Sequence, residues 1–291
     1  MRIMKNSLQI AITGANGFVA RNFRRILNEK KINTICIARR NFTSYKSETK
    51  IISRDLSEKL VPKLKNCNVL VHLIGSGRET AENSYQYTNV ETTKKIVNLC
   101  KKAGVKKIIY NSGLGVSKNS TSSYFISKFK AEQTIINSRL DYTIFRPSYI
   151  IGKDDLLSQS LKKQIKKGIV IIPGSGNYKL QPIFVNDVSK IFFKAITTKK
   201  FSKKTVDLVG PQFVSFENYV HDFIDSKNVK IQKIKLEKAY FDALHNSKSI
   251  FGVDDLNILI GSFTGNFRKL KKLSGLKFKS YKEILKSRSL S

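Results

Sequence analysis

Tyr124 and Lys128 are the pair in this chain whose types and spacing point most directly to chemistry. Four residues apart in a helical segment, they share one face, one turn apart. A phenol that titrates near about 10 is a poor acid–base group at neutral pH. An ammonium beside it lowers the cost of the phenolate and can hold ligand hydroxyls. The pair suits proton exchange with an alcohol or a ketone. Ser112 ends a short apolar run, where its hydroxyl can orient a carbonyl, and Gly113 beside it supplies none. Asn111-Ser112-Gly113 lacks the G-x-S-x-G spacing of a hydrolase elbow. His72, followed by apolar residues, reads as a packed residue rather than a base. Cys36, Cys67 and Cys100 are widely spaced in apolar surroundings, which suits buried thiols and no metal.

A proton relay needs a redox partner, and the start of the chain supplies its cradle. Leu8–Thr13 is an apolar, β-branched run followed at once by Gly14-Ala15-Asn16-Gly17-Phe18-Val19-Ala20. That pattern predicts a strand, a tight turn and a helix N-terminus, where a doubly wound α/β fold holds a dinucleotide pyrophosphate. Gly14 permits the turn, and Gly17 lets the backbone approach the phosphates. Ala20 stands where a third glycine is usual. Arg39 and Arg40 follow the second strand, where an NAD site places an acid for the ribose hydroxyls. Two arginines suit a 2′-phosphate and lean toward NADP over NAD; as surface cations they carry no preference. Asp55 reads equally as a helix cap or as a partner of the adenine. Leu73, Ile74 and Gly75 close the fourth strand beside the cofactor, and Arg78 is expected at the mouth of the site. With nicotinamide in this cradle, hydride passes at its C4 and a proton through Tyr124.

The elements that must carry these residues alternate regularly. Strands are expected at 8–13, 33–38, 50–53, 68–73, 107–111 and 141–146, with helices at 56–64, 84–103 and 124–138 between later pairs. This predicts a mostly parallel, doubly wound sheet covered on both faces. The expected division is a dinucleotide-binding core over 1–150 and a mixed segment over 151–291. The second segment contributes a sheet edge and a smaller substrate-side lobe. Its expected elements include a strand at 182–185 and helices near 238–246, 254–260 and 281–285. No stretch reaches eighteen apolar residues, and residues 1–7 lack the apolar middle of a secretory signal, so a cytoplasmic protein is expected.

Charge is the unusual number: 54 Lys plus Arg against 21 Asp plus Glu, a formal +33. The cations are dispersed lysine pairs without aromatic interleaving, which argues against a nucleic-acid platform. Docking to a partner protein or peripherally to an anionic membrane is compatible with them, as is a proteome-wide bias.

Several motifs together resemble a known family. Thr13–Ala20, Asp55-Leu56, Asn89-Val90-Glu91-x-Thr93, Tyr124-x-x-x-Lys128 and Phe145-Arg146-Pro147 look like the extended and atypical short-chain dehydrogenase/reductases, the epimerase/dehydratase class. Tyr110–Val116, Ser127-Lys128 with Ala131-Glu132, and Leu180-Gln181-Pro182 with Asn186-Asp187-Val188 most resemble one branch. That branch includes the NAD(P)H-binding accessory subunit of respiratory complex I and its prokaryotic relatives. The resemblance implies that Gly14, Gly17 and Phe18 border the pyrophosphate, Arg39 and Arg40 the ribose, and Asp55 and Leu56 the adenine. It places Gly75 at the middle of the cofactor and Pro147 and Ser148 near the nicotinamide. Asn89 then shapes the active site, and Tyr124 and Lys128 are the catalytic pair. Gly113 occupies the position of the usual active-site Ser or Thr. Two functions stay open: an NAD(P)-dependent oxidoreductase or epimerase acting on a small or sugar-like substrate, and a non-catalytic NADP(H)-binding subunit. The basic stretch Phe267–Lys279 is the docking surface that the second expects. The resemblance also implies a monomer or a homodimer.

Overall fold

The structure, a computed structural model, describes residues 8–80, 83–224 and 228–289; the expectation for residues 1–7 lies outside them. In the first half β1 (Gln9–Thr13), α1 (Phe18–Glu29), β2 (Asn33–Ala38) and β3 (Glu48–Ile52) are followed by α2 (Val61–Leu64) and β4 (Val69–His72). Then come α3 (Thr92–Ala103), β5 (Lys107–Asn111), α4 (Ser123–Ile136) and β6 (Asp141–Pro147). The second half holds β7 (Ile150–Ile151), α5 (Leu156–Lys166), β8 (Ile169–Pro173), β9 (Lys179–Leu180), β10 (Ile183–Phe184), α6 (Val185–Thr197) and β11 (Lys204–Leu208). It ends with β12 (Val214–Ser215), α7 (Phe216–Phe223), β13 (Lys230–Ile234), α8 (Leu236–His245), α9 (Val253–Ile260), α10 (Phe267–Ser274) and α11 (Tyr281–Ser289).

Seven strands form one parallel sheet in the order β11-β6-β5-β4-β1-β2-β3. This is a Rossmann-type α/β fold. The chain builds outward from β1 to one edge and then returns to build the other, so the order reverses between β1 and β4. A crevice opens outside the carboxyl ends of the strands at that switch point. Both faces of the sheet are covered, which is why its central strands read as continuous apolar runs. On one face α1 and α6 pack together, with Phe23 edge-on to Phe192 at 5.6 Å. On the other, Ile96, Leu99 and Cys100 of α3 and Ala131 and Ile135 of α4 meet Leu70, Ile108 and Ile144. A third core, around Val170, Ile172, Phe216, Tyr219 and Ile284, lies beneath the paired strands β8 and β13.

Several details differ from the sequence expectation. The helix expected over 84–103 opens with a π-helical turn, Gln86–Glu91, before α3. Such turns often sit at functional sites, and this one carries Asn89. The helix expected over 56–64 with a break near Pro62 is a short turn at Glu58–Leu60 followed by α2, and Pro62 lies in the first turn of α2, where a missing N–H is tolerated. The strand expected over 182–185 is only β10, because Val185 already begins α6. β13 and α10 were not expected. The basic stretch 267–279 is part of the packed body: Leu270 is fully buried in the first core, and Leu273, Leu276 and Phe278 pack against it. Among the described residues no helix is long and apolar enough to cross a membrane.

Candidate functional site

At the carboxyl end of β1, Gly14 takes φ 71°, and a Cβ there would lie 2.9 Å from the carbonyl carbon and oxygen of Leu73. Only a glycine lets the first turn approach the end of β4 this closely. Gly17 caps α1 without any side-chain oxygen, so no capping side chain meets the first-turn N–H groups of α1. Asn16 and Gly17 are exposed, while Phe18 and Val19 are half-buried. Ala20, in place of the third glycine, is buried in the core and leaves α1 packed on the sheet.

Arg24 holds this turn from behind. Its Nη1 donates to the Ala15 carbonyl at 3.1 Å, and its Nε and Nη2 grip Glu48 at 2.8 and 2.6 Å. Sequence reading missed this residue. The available signal was an arginine placed among Phe23, Ile26 and Leu27 on the apolar face of α1.

Gly75, just past β4, is the second close approach. A Cβ there would lie 2.8 Å from Lys128 Nζ and 3.3 Å from Asn89 Oδ1. Lys128 is buried and donates to Tyr110 Oη and to the Asn111 carbonyl, each at 3.3 Å. Burial lowers its pKa to about 8, partly opposed by Glu132. Asn89, 1% exposed, donates to Ser127 Oγ at 2.9 Å and accepts from the Ser76 N–H at 3.1 Å. It joins the π turn, the loop after β4 and α4. His72 is a packed residue between Thr13 Oγ1 (2.8 Å) and Thr93 Oγ1 (3.1 Å). Burial, and then Lys128, push its pKa down to about 3, so it is neutral.

A cavity of about 320 Å3 lies in front of these groups. The loop Leu73–Gly77 and the stretch Asn111–Leu114 form two of its sides, and Pro147–Ile150 a third. Tyr124 lines it beside Lys128, with its Oη 3.1 Å from where a Cβ on Gly113 would stand. Where the family resemblance implied a hydroxyl-bearing side chain, Gly113 leaves bare backbone against the Tyr124 phenol. Burial, and then the Asp254 carboxylate, raise the Tyr124 pKa to about 12. The expected easing of the phenolate by Lys128 is not what dominates here, because the ammonium is turned toward Tyr110 and Asn111. Ser112 Oγ is sealed from solvent without a hydrogen-bond partner, as is Asn111 Oδ1.

The opposite wall comes from the C-terminal part of the chain, through Ile258 and Phe263. Asp254 accepts from Tyr85 Oη at 2.6 Å and from Ser122 Oγ at 3.1 Å. Tyr85 in turn stands edge-on to Tyr124 at 5.7 Å. Arg78, expected to meet a ligand at the mouth, is instead paired with Asp255 and donates to the Ile250 carbonyl. No local pattern could have signalled the contacts of Asp254, Asp255 and Ile250, which join residues more than 130 positions apart.

The adenosine-side candidates lie in loops beyond β2 and β3. Arg39 and Arg40 are exposed; Arg39 donates to Asn83 Oδ1 at 3.0 Å, and Arg40 makes no ion pair among the described residues. Asp55 is exposed, and its carboxylate accepts from Ser53 Oγ (3.2 Å) and the Ser57 N–H (3.4 Å) in a local turn. Leu56 is buried in the second core. The crevice brings together the glycine turn, Leu73–Gly75, Asn89, Lys128, Tyr124, Pro147 and Ser148. Its two glycine approaches, its uncapped helix start and its buried ammonium fit a dinucleotide.

Comparisons agree with that fit. The chain is 32% identical over 151 residues to NADH dehydrogenase (ubiquinone) 1 alpha subcomplex subunit 9, mitochondrial, of Arabidopsis thaliana, covering 51% of this chain and 38% of that protein. The subunit of the same name from Dictyostelium discoideum is 23% identical over 236 residues, 77% of this chain and 65% of that one. The chain thus spans less than two thirds of the length of either relative. The solved structure of MoeE5 in complex with UDP-glucuronic acid and NAD covers 97% of this chain and 100% of its own, with a TM-score of 0.77 at 19% identity, a likeness of fold. The family model for NAD(P)H-binding proteins matches residues 14–169, more than half of the chain, and the chain belongs to that family.

Proposed function

We propose that this protein is an NAD(P)-dependent oxidoreductase or epimerase-like enzyme that acts on a small alcohol or ketone, with Tyr124 as its acid–base group. The observation that carries the reading is the Tyr124 phenol facing the cavity across Gly113, with the Lys128 ammonium one turn further along α4 beneath Gly75. When bound, the nicotinamide supplies or accepts a hydride. Tyr124 is a phenol at neutral pH, so it is set to give a proton to a carbonyl oxygen, the reductive direction. Lys128 spends two donors on Tyr110 and Asn111 and keeps a third for ribose hydroxyls. Asn89 positions the loop and helix that carry Gly75 and Lys128. Ser112 orients the carbonyl once its Oγ turns out of its sealed position. Arg39 and Arg40, with no acid at the end of β2, favour NADP over NAD.

The test is separate titration of NADPH and NADH at near-physiological salt, followed by carbonyl turnover in Tyr124→Phe. The expected result is tighter NADPH binding, retained in the variant, with turnover reduced by about 100-fold or more. Equal or better NADH binding removes the assigned role of the arginines, and unchanged turnover removes Tyr124 as the acid. A second reading, a non-catalytic NADP(H)-binding subunit of a larger complex, is favoured by the names of the relatives and by the missing hydroxyl at 113. It expects NADPH binding without turnover, together with a partner protein.

A further inference from the structure

Among the described residues, four buried side-chain polar atoms have no hydrogen-bond partner. Two of them, Asn111 Oδ1 and Ser112 Oγ, belong to adjacent residues that line the cavity. An unpaired buried atom carries its full desolvation penalty, so two together at the end of one strand point to ligand groups that pair with them. They do not face the same way. Successive side chains of a strand point to opposite faces of its sheet. Ile109 lies in the core of α1 and α6, and Tyr110 in the core of α3 and α4. Asn111, the last residue of β5, is paired with Phe145 of the first core and so falls on the Ile109 face. The Ser112 N–H still bonds the Phe145 carbonyl at 2.7 Å, which carries the alternation one residue further. Ser112 thus falls on the Tyr110 face, the face that Lys128 approaches. The backbone carbonyl of Asn111 is taken by Lys128, while its side-chain oxygen is left without a donor.

The cavity runs from Leu73–Gly77 after β4, across Asn111–Leu114, to Pro147–Ile150 after β6. A ring that exchanges hydride in front of Tyr124 therefore lies over the end of β5. Nicotinamide carries a primary carboxamide, a donor and an acceptor on one plane, which is the complement of an asparagine amide. We infer that Asn111 binds the nicotinamide carboxamide, its Oδ1 accepting from the carboxamide NH2 and its Nδ2 donating to the carboxamide oxygen. A turn about χ2, a soft torsion in asparagine, opens the amide to the cavity that it lines. Holding the carboxamide fixes the rotation of the ring, and with it the face turned toward Tyr124. Ser112, on the other side of the strand, stays with the substrate carbonyl. The inference rests on the cofactor part of the reading above and adds to it the residue that orients the ring.

The test is calorimetric binding to the full chain, and needs no turnover. NADP+ and NAD+ are each measured beside their acetylpyridine analogue, in which a methyl group replaces the carboxamide NH2. ADP-ribose, with and without the 2′-phosphate, lacks the ring and reports the fold and the rest of the site. The expected result is that the wild type binds the natural cofactor at least about 10-fold more tightly than the analogue. Asn111→Leu brings the two to within about 2-fold, by weakening the natural cofactor and leaving the analogue and ADP-ribose unchanged. Asn111→Ala, which needs no added room, is expected to do the same. A merely structural role weakens every ligand together and leaves the ratio as it was. Equal binding of cofactor and analogue by the wild type, or a ratio that survives both variants, overturns the inference and leaves the cofactor reading standing. Failure of the wild type to bind either dinucleotide overturns the cofactor reading, and the inference with it.

Discussion

Lys128 is a buried ammonium whose environment disfavours its charge, and this has a measurable consequence for stability. In the unfolded chain its amine holds a proton up to 10.5, whereas in the fold it releases it from about 8. Between those values the unfolded state binds more protons, so this residue makes stability rise with pH across that window. Lys128→Met abolishes the effect. Urea unfolding at pH 7.5 and pH 10 is therefore expected to show the wild type gaining on the order of 2–3 kcal/mol relative to the variant. Parallel behaviour of the two proteins would mean that the ammonium is not penalised. The i, i+4 spacing told correctly that Tyr124 and Lys128 lie on one helix. It could not tell that Lys128 turns toward Tyr110, nor that burial, and then Asp254, 130 residues away in the chain, raise the pKa of Tyr124. Those depend on tertiary placement, which has no local period.

At the scale of elements, the parts legible in the sequence are those determined by neighbours in the chain. Gly14 and Gly17 follow an apolar run and give the β1–α1 turn where expected. Gly104 ends α3 in the left-handed conformation. Ser215 caps α7 through the Asn218 N–H. The π turn at Asn89 and the seating of α9 were illegible, because both are settled by distant partners. Besides its buried Leu256 and Leu259 and the Ser122–Asp254 hydrogen bond, α9 is fastened by the Arg78–Asp255 pair, which is largely exposed, and by the Tyr85–Asp254 hydrogen bond, whose donor residue is only 2% exposed. Exposed pairs contribute little, whereas a hydrogen bond to a charged acceptor contributes more. Tyr85→Phe is therefore expected to cost about 1.5–3 kcal/mol in urea unfolding, and Arg78→Ala less than about 1 kcal/mol. Amide exchange in α9 should quicken in the first variant and barely change in the second. The reverse order would place the fastening of α9 at the surface pair.

For the whole molecule the dominant quantity is the excess of 33 positive charges. Pairing every acid with a base would still leave that excess. The visible surface pairs, such as Arg25–Glu29, Lys94–Glu91 and Lys238–Asp242, are largely exposed and stabilise weakly. Net repulsion therefore opposes compaction, and screening should relieve more strain than it removes attraction. Raising KCl from ~0.01 M to ~0.1 M shortens the Debye length from about 30 Å to about 10 Å. The Tm of the unliganded protein is expected to rise over that interval. The same screening acts oppositely on a ligand phosphate held by Arg39 and Arg40, so NADPH affinity should fall with salt more steeply than NADH affinity. A Tm that falls would show that local pairing outweighs the global field. Equal salt slopes for the two cofactors would show that the arginines answer to the field of the protein rather than to the 2′-phosphate.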